Sequence, residues 1–372
     1  MTLTQRSLHA DTLPLRALNR RQASGLLLGM MAGALAACHR SFGGGAPKAV
    51  NIAAIAYPYQ GGQVFNGLTG VVVRDGWLKA ELAKHGVGLA LTPVPTAVGA
   101  PLINEGFSGK RIDFASYGDF PAIIAAAGGI PIKLVAPYGQ GQDVYLVVRN
   151  GVAATCIKDL RGKRIALHRG RPWELPFAKL LDANGLAFSD FTIVNINPSA
   201  TPTALASGSV DATVLLSDGL LLQQNGIGRV IWSTRDAPAD WKMRAELFAR
   251  GDFVADHPDL TQIVVEAFVR AARWSSDEAN RAQVIHDAAR GAMPEAIVEK
   301  DYANATYPWR ERFSPVFRPE IRQHYQSVAD YALARGLIHN KVDVDQLFDE
   351  QFVAAALKKL NLEGYWAEGG AA

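Results

Sequence analysis

Short apolar runs alternate with polar turns and with stretches of helical spacing from about residue 49 onward. Runs at 50–56, 87–94, 112–115, 132–136, 144–148, 163–167, 191–196, 212–216 and 229–232 read as strands. Between them, 77–84, 121–127 and 175–184 have the spacing of helices, and 260–273 is amphipathic. Strand and helix in regular alternation predict an α/β chain with mostly parallel sheets and right-handed crossovers. A run at 248–254 reads as a return strand, and the helical tail after it is expected to pack around the first half of the chain.

Two turns stand out. In residues 111–131 a short strand ends in Ser116, Tyr117, Gly118 and Asp119, and a small-residue helix follows, with Pro121 in its first turn and Gly128-Gly129 as its stop. Asp119 suits the helix cap, and proline suits a first turn. Downstream, 163–167 runs into His168-Arg169-Gly170-Arg171-Pro172-Trp173-Glu174, which opens the helix 175–184. A helix amino end offers unpaired N–H groups and the positive end of the peptide dipole, which favour an anion. One such turn is an ordinary strand-to-helix connection; two, one in each half, predict two lobes facing across a cleft. Pro137 to Asp143, with glycines at 139 and 141, breaks the alternation and reads as a crossing between lobes.

Ligands of open α/β sheets sit beyond the carboxyl ends of the strands. The candidate contacts are therefore Tyr57, Tyr59, Gln60, Ser116, Tyr117, Gly118, Gln142, Arg171, Trp173 and Asp218. Arg171 is the sharpest, because a guanidinium presents paired donors to a sulfonate, carboxylate or phosphonate; Arg169 competes for the role. Ser116, Tyr117 and Gly118 offer hydroxyl and amide donors from the first lobe. Tyr57, Tyr59, Tyr117, Phe120 and Trp173 make these loops aromatic, which suits an organic tail better than bare nitrate. Gln60, Gln142 and Asp218 read as polar orienters, and Asp119, Asp143 and Asp218 leave room for an amine-bearing ligand such as taurine.

Composition changes the picture at one end. Arg16, Arg20 and Arg21 precede an apolar run at 23–35 that is too short to span a bilayer and resembles an export signal. It ends Leu35-Ala36-Ala37-Cys38, which resembles a bacterial lipoprotein cleavage box with Cys38 as the lipidated residue; a signal simply cleaved near Ala36 is the alternative. The Arg20-Arg21 pair leaves the twin-arginine and general routes both open. Residues 1–38 carry four arginines and one acid, so the remainder holds 34 basic and 34 acidic residues and is near neutral, although the whole chain has an apparent pI of 8.8. No basic run with interleaved aromatics points to nucleic acid. Residues 39–48 read as a flexible tether. Cys156 is then the one remaining cysteine and is expected to be a small apolar filler, which argues against a disulfide framework or a cysteine metal site. No cofactor is expected.

The order of the motifs resembles a known family. Gly109-Lys110-Arg111-Ile112-Asp113-Phe114, Gly118-Asp119-Phe120-Pro121, Asp159-Leu160-Arg161-Gly162-Lys163-Arg164-Ile165-Ala166, Ser207-Gly208-Ser209-Val210-Asp211-Ala212 and Ala334-Arg335-Gly336-Leu337-Ile338 are similar, in this order, to segments of the solute-binding proteins of ABC importers for aliphatic sulfonates, taurine and nitrate. The resemblance covers roughly residues 49–358. It implies a two-lobed periplasmic-binding-protein fold of type II, each lobe a mostly parallel sheet flanked by helices, with hinge crossings near 137–144 and 233–247. The lobes would be 49–140 with 246–372, and 141–245. It also implies a monomeric periplasmic carrier, lipid-anchored through Cys38, that grips a small organic anion by hinge closure and docks on a membrane permease and its ATPase. Desulfinases and thiamine-pyrimidine synthases resemble the family too, so an enzyme on this fold is the alternative, as is a binder of nitrate or a pyrimidine. A desulfinase would need a cysteine nucleophile at the first strand end, where this chain has Tyr57 and Tyr59. A sensor subunit presenting ligand to a membrane receptor is a third reading.

Overall fold

The computed structural model describes residues 47–303 and 307–367. Residues 1–38, read as an export signal ending at Cys38, and most of the expected tether lie outside the described residues. Among the described residues, eleven strands form two sheets. The first contains β1 (Ala49–Tyr59), β2 (Gly62–Phe65), β3 (Gly88–Pro95), β4 (Phe114–Gly118), β5 (Ile132–Ala136) and β11 (Ala245–Arg250), in the order β2-β1-β4-β11-β5 with β3 also on β1. The second contains β6 (Tyr145–Arg149), β7 (Arg164–Ala166), β8 (Thr192–Val194), β9 (Ala212–Leu215) and β10 (Gly228–Ser233), in the order β10-β6-β9-β7-β8. Around them lie α1 (Gly67–Asp75), α2 (Trp77–Lys84), α3 (Ala100–Ser108), α4 (Asp119–Ala127), α5 (Glu174–Ala183), α6 (Thr201–Ala206), α7 (Asp218–Gln224), α8 (Gly251–Asp256), α9 (Pro258–Ser275), α10 (Arg281–Ala289), α11 (Glu295–Tyr302), α12 (Pro319–Ala334), α13 (Val344–Leu347) and α14 (Gln351–Lys359).

Both sheets are covered on both faces. β9 is buried along its whole length and β6 for all but its last residue, which is why these strands read as continuous apolar runs without alternation. In the first lobe Phe114 and Leu247 enter one core cluster, while their neighbours Ala115 and Phe248 enter another, as the two-residue period of a strand requires. In the first sheet β1, β3, β4 and β5 run one way, and in the second β7, β8, β9 and β10 do. The reversed inner strands, β11 and β6, are the first after each crossing between sheets.

The two crossings hold each other. Gln142 N–H donates to Met243 O at 2.7 Å and Met243 N–H donates to Gln142 O at 3.1 Å, while Thr234 N–H donates to Val144 O at 3.0 Å and Val144 N–H donates to the Thr234 hydroxyl at 2.9 Å. Gly139 adopts φ +96°, and a Cβ there would overlap the Arg312 carbonyl, so only glycine fits.

Four expectations change. The return strand lies at Ala245–Arg250, and residues 251–256 are helical because Gly251 N–H turns to Pro131 O and the Asp252 carboxylate accepts the Phe253 N–H. Residues 57–62 are not a loop: β1 continues to Tyr59 and folds back as β2 through Gln60 and Gly61, both at positive φ, as a tight two-residue hairpin demands. The tail is not confined to the first sheet, because Ile297 of α11 is fully buried among Tyr145 and Val147 of the second and Leu220 of α7. Cys156 is exposed rather than a core filler, at the start of a short turn closed by the Asp159 carboxylate. No helix among the described residues is long and apolar enough to cross a membrane.

Candidate functional site

The two turns singled out in the sequence meet. A Cβ on Gly118, at the end of β4, would come within 2.7 Å of Pro172 Cγ before α5. Around this contact the second lobe reaches the β3–α3 loop of the first: Arg171 Nη2 donates to Thr96 O at 3.4 Å and Asn197 Nδ2 to Ala97 O at 3.2 Å. Gly99 leaves the space that the Arg171 guanidinium fills.

The competition between the arginines resolves by pairing. Arg169 Nε sits 2.9 Å from the carboxylate of Glu174, which is fully buried and also accepts the Gly170 N–H at 2.7 Å. Burial pushes the Glu174 carboxyl up, and the Gly170 N–H and the Arg169 charge pull it back. Arg171 has no carboxylate partner among the described residues; its Nε faces His168 Nδ1 at 3.3 Å. Burial lowers the Arg171 pKa, and burial followed by the Arg171 charge lowers that of His168. Trp173 lies with its ring centroid 6.0 Å from this guanidinium. It is only 9% exposed, and its Nε1–H has no hydrogen-bond partner among the described residues. A buried unpaired donor costs about 1–3 kcal/mol.

On the first-lobe side the expected anion nest at α4 is absent. Gly118, not Asp119, is the N-cap. Asp119 N–H donates to Arg244 O at 3.0 Å, Phe120 N–H to Asp119 Oδ1 at 2.6 Å, and Pro121 has no N–H, so the first turn has no amide to spare. The Tyr117 ring belongs to the core, edge-on to Phe107 and Phe248, and its hydroxyl, with one proton to give, lies between the Asn104 side chain and Pro121 O, so that donor is taken up within the protein. Ser116 remains half-buried between Thr69 Oγ1 at 2.6 Å and the Tyr138 hydroxyl at 2.7 Å. The Tyr138 hydroxyl also interacts with Thr69, so the three hydroxyls can satisfy one another. Thr69, Tyr138, Thr96 and His168, which these contacts bring in, are not among the ten candidates; only His168, three positions before Arg171, carries a signal in its spacing.

Tyr57 and Asp218 lie within electrostatic reach of each other. Burial raises the Tyr57 phenol, and the Asp218 charge adds to that. Asp218, at the start of α7, reaches solvent yet is crowded enough that burial raises its carboxyl. It has no cationic partner among the described residues. The other two carboxylates are engaged. Asp119 Oδ2 takes His324 Nε2 at 2.7 Å and the Arg244 N–H at 2.9 Å, and Asp143 pairs with Lys242 Nζ at 3.0 Å and Arg235 at 3.6 Å. Tyr59 is half-buried on the hairpin, Gln60 is exposed at its tip, and Gln142 is exposed on the crossing with its backbone spent on Met243. A separate cavity of about 440 Å³ opens by the crossings, lined by Gly139, Arg244, Arg318 and His324 among others. None of the ten candidates lines it, and two of its arginines are paired within the protein, Arg244 with Glu246 and Arg318 with Glu311, both at 2.6 Å.

A profile of the NMT1/THI5-like family matches residues 85–282, more than half of the chain. An aliphatic sulfonate-binding protein of Bacillus subtilis (strain 168) is 25% identical over 290 residues, covering 78% of this chain and 84% of its own. The crystal structure of the periplasmic sulfonate-binding protein SsuA from Methylobacillus flagellatus KT is 42% identical, with a TM-score of 0.79, and the match covers 86% of this chain and 97% of that one. The desulfurization enzyme DSZB shares the fold with a TM-score of 0.59 at 17% identity, over 84% of this chain and 99% of its own. The chain belongs to the NMT1/THI5-like family, among the periplasmic solute-binding proteins of ABC importers that include the aliphatic sulfonate-binding proteins.

Proposed function

We propose that this protein is the extracytoplasmic substrate-binding component of an ABC importer and that its ligand is a small organic anion, an alkyl- or arylsulfonate. The observation that carries this reading is the pair at the lobe junction: Arg171, lacking a carboxylate partner among the described residues, and 6.0 Å from it the ring of Trp173, whose buried indole N–H is unpaired. A sulfonate offers three oxygens. Two can take the guanidinium fork, and another can accept from the indole, replacing the water the anion leaves behind. Ser116 supplies a hydroxyl from the first lobe, Tyr57 and Tyr59 flank an organic tail, and Asp218 faces any donor at its far end.

Closure about the paired crossings would bring the two sets of donors onto the anion, and the closed form would dock on the permease and its ATPase. The carrier acts as a monomer, held at the membrane by lipid on Cys38. A desulfinase is disfavoured by the absence of a cysteine at the β1–β2 hairpin. The test is a thermal-shift screen of the mature chain with alkyl- and arylsulfonates, nitrate, amino acids and pyrimidines. A sulfonate present at a hundredfold excess over its Kd stabilises by about 2.7 kcal/mol. A shift by a sulfonate that disappears in Arg171→Ala supports the reading; shifts by uncharged or cationic compounds alone refute it.

A further inference from the structure

The last third of the chain leaves the first lobe and comes back. α10 is fixed to the first lobe: the Asp287 carboxylate pairs with Arg74 of α1, and Asn66 Nδ2 donates to Ala288 O at 2.8 Å and Arg290 O at 3.2 Å. α11, five residues later, is fixed to the second. Ile297 is wholly buried in that lobe's core, Asp301 accepts the Tyr145 hydroxyl at 2.6 Å, and Arg235 donates to Lys300 O at 2.6 Å and Asp301 O at 2.9 Å. The chain then returns, with Phe313 in the first-lobe core and Trp309 Nε1 donating to Ser275 O at 3.0 Å.

The turn between the two helices is seated on the candidate ligand wall. Gly291 has φ +66°, and a Cβ there would come within 2.6 Å of Pro58 O and 2.8 Å of Tyr57 Cβ. Val298 of α11 packs with Ile285 and Ala289 of α10, and Glu295 Oε1 meets His286 Nδ1 at 2.5 Å. α11 also lies against α7, whose first residue is Asp218.

We infer that residues 281–302 form a strap that ties the two lobes together, in addition to the paired crossings, limits how far they separate, and holds Tyr57 of one lobe opposite Asp218 of the other. α11 moves with the second lobe although the chain on both sides of it is anchored to the first. Opening the cleft therefore requires the 290–294 turn to extend and the Val298 contact with Ile285 and Ala289 and the Glu295–His286 pair to part, and a five-residue turn has little slack to give. The role assigned to Tyr57 and Asp218 rests on the cleft reading above. The tether itself does not, and its test uses ligand-free protein, so the two fail separately.

Two variants of the mature chain test it. Inserting Gly-Gly-Ser between Ala292 and Met293 lengthens the turn and leaves both helix faces intact. Small-angle scattering of the ligand-free variant should show a radius of gyration larger than wild type beyond replicate error, at an unchanged melting temperature. In Ile297→Ala, hydrogen exchange should accelerate at least tenfold in α11 and α7 together, with α10 unaffected, since α11 opens with the second lobe's cooperative unit. A lengthened turn that leaves the radius of gyration unchanged, or α11 amides that exchange with those of α10 and independently of α7, would overturn the inference.

Discussion

Trp173→Phe separates a ligand contact from a structural one by the sign of its effects. The indole sits in the second-lobe core with Leu167, Phe177 and Val214, and its N–H is buried without a partner. Phenylalanine keeps most of the packing and deletes the donor. In the ligand-free protein the smaller ring forfeits roughly 1–3 kcal/mol of burial and contacts. Removing the unpaired donor recovers about 1–3 kcal/mol. The two nearly cancel, so the melting temperature should move by a few degrees at most. With ligand bound the accounts differ, because a hydrogen bond to a charged acceptor contributes about 1.5–3 kcal/mol. Losing it should weaken alkanesulfonate binding about 10- to 150-fold. Calorimetric melting without ligand and isothermal titration with a short alkanesulfonate measure both quantities on one preparation. If the ligand-free melt collapses while the affinity stays within twofold, the indole is a structural donor and the argument fails.

Other outcomes follow from single residues. Gly139→Ala forces a Cβ into the Arg312 carbonyl at a φ of +96° and should cost about 3 kcal/mol or more, read as a fall of roughly 5–10 °C in melting temperature; an unchanged melt would mean that the crossing relaxes freely. The His168 pKa is held below 6.5 by burial and by the Arg171 charge, so below that pH the unfolded chain takes the proton first and the His168 contribution is lost as pH falls. An anion that neutralises Arg171 should raise the His168 pKa and draw in a proton near pH 6 but not at pH 8. Titrations in buffers of different ionisation enthalpy measure that uptake, and its absence would place the anion away from Arg171. Asp218 has the opposite sign: its carboxyl pKa is raised above 3.8, so its ionisation destabilises the fold progressively as pH rises past that value. Asp218→Asn should therefore be more stable than wild type at pH 7 and equal to it near pH 3; equal melting at both pH values would show the carboxylate to be fully solvated.

Legibility followed range. The strand-to-helix handovers at 163–175 and 111–121 could be read because proline, glycine and the apolar run are local signals, and the lobe junction forms from those two turns. Asp119 was misread because the groups that claim it, Arg244 and His324, are 125 and 205 residues away in sequence. Tyr117 was misread because β4 is covered on both faces, so no alternation marks its ring as inward. The hairpin at Gln60-Gly61 lacks the Asn-Gly or Asp-Gly pair that signals a tight turn. Ile297 lies in an ordinary amphipathic helix, and nothing in its spacing tells which lobe buries it. The unpaired Trp173 N–H is a property of packing, since a tryptophan two residues after an arginine reads the same whether or not its donor is satisfied.

Isothermal titration of the mature wild-type chain and of Arg171→Ala with a short alkanesulfonate, each at matched ionic strength, bears most directly on the central claim. Saturable binding of one ligand per wild-type chain, lost in a variant that melts within a few degrees of wild type, is the predicted result. Equal affinity in the two proteins would contradict it, because the anion would then be held by groups other than the Arg171 guanidinium.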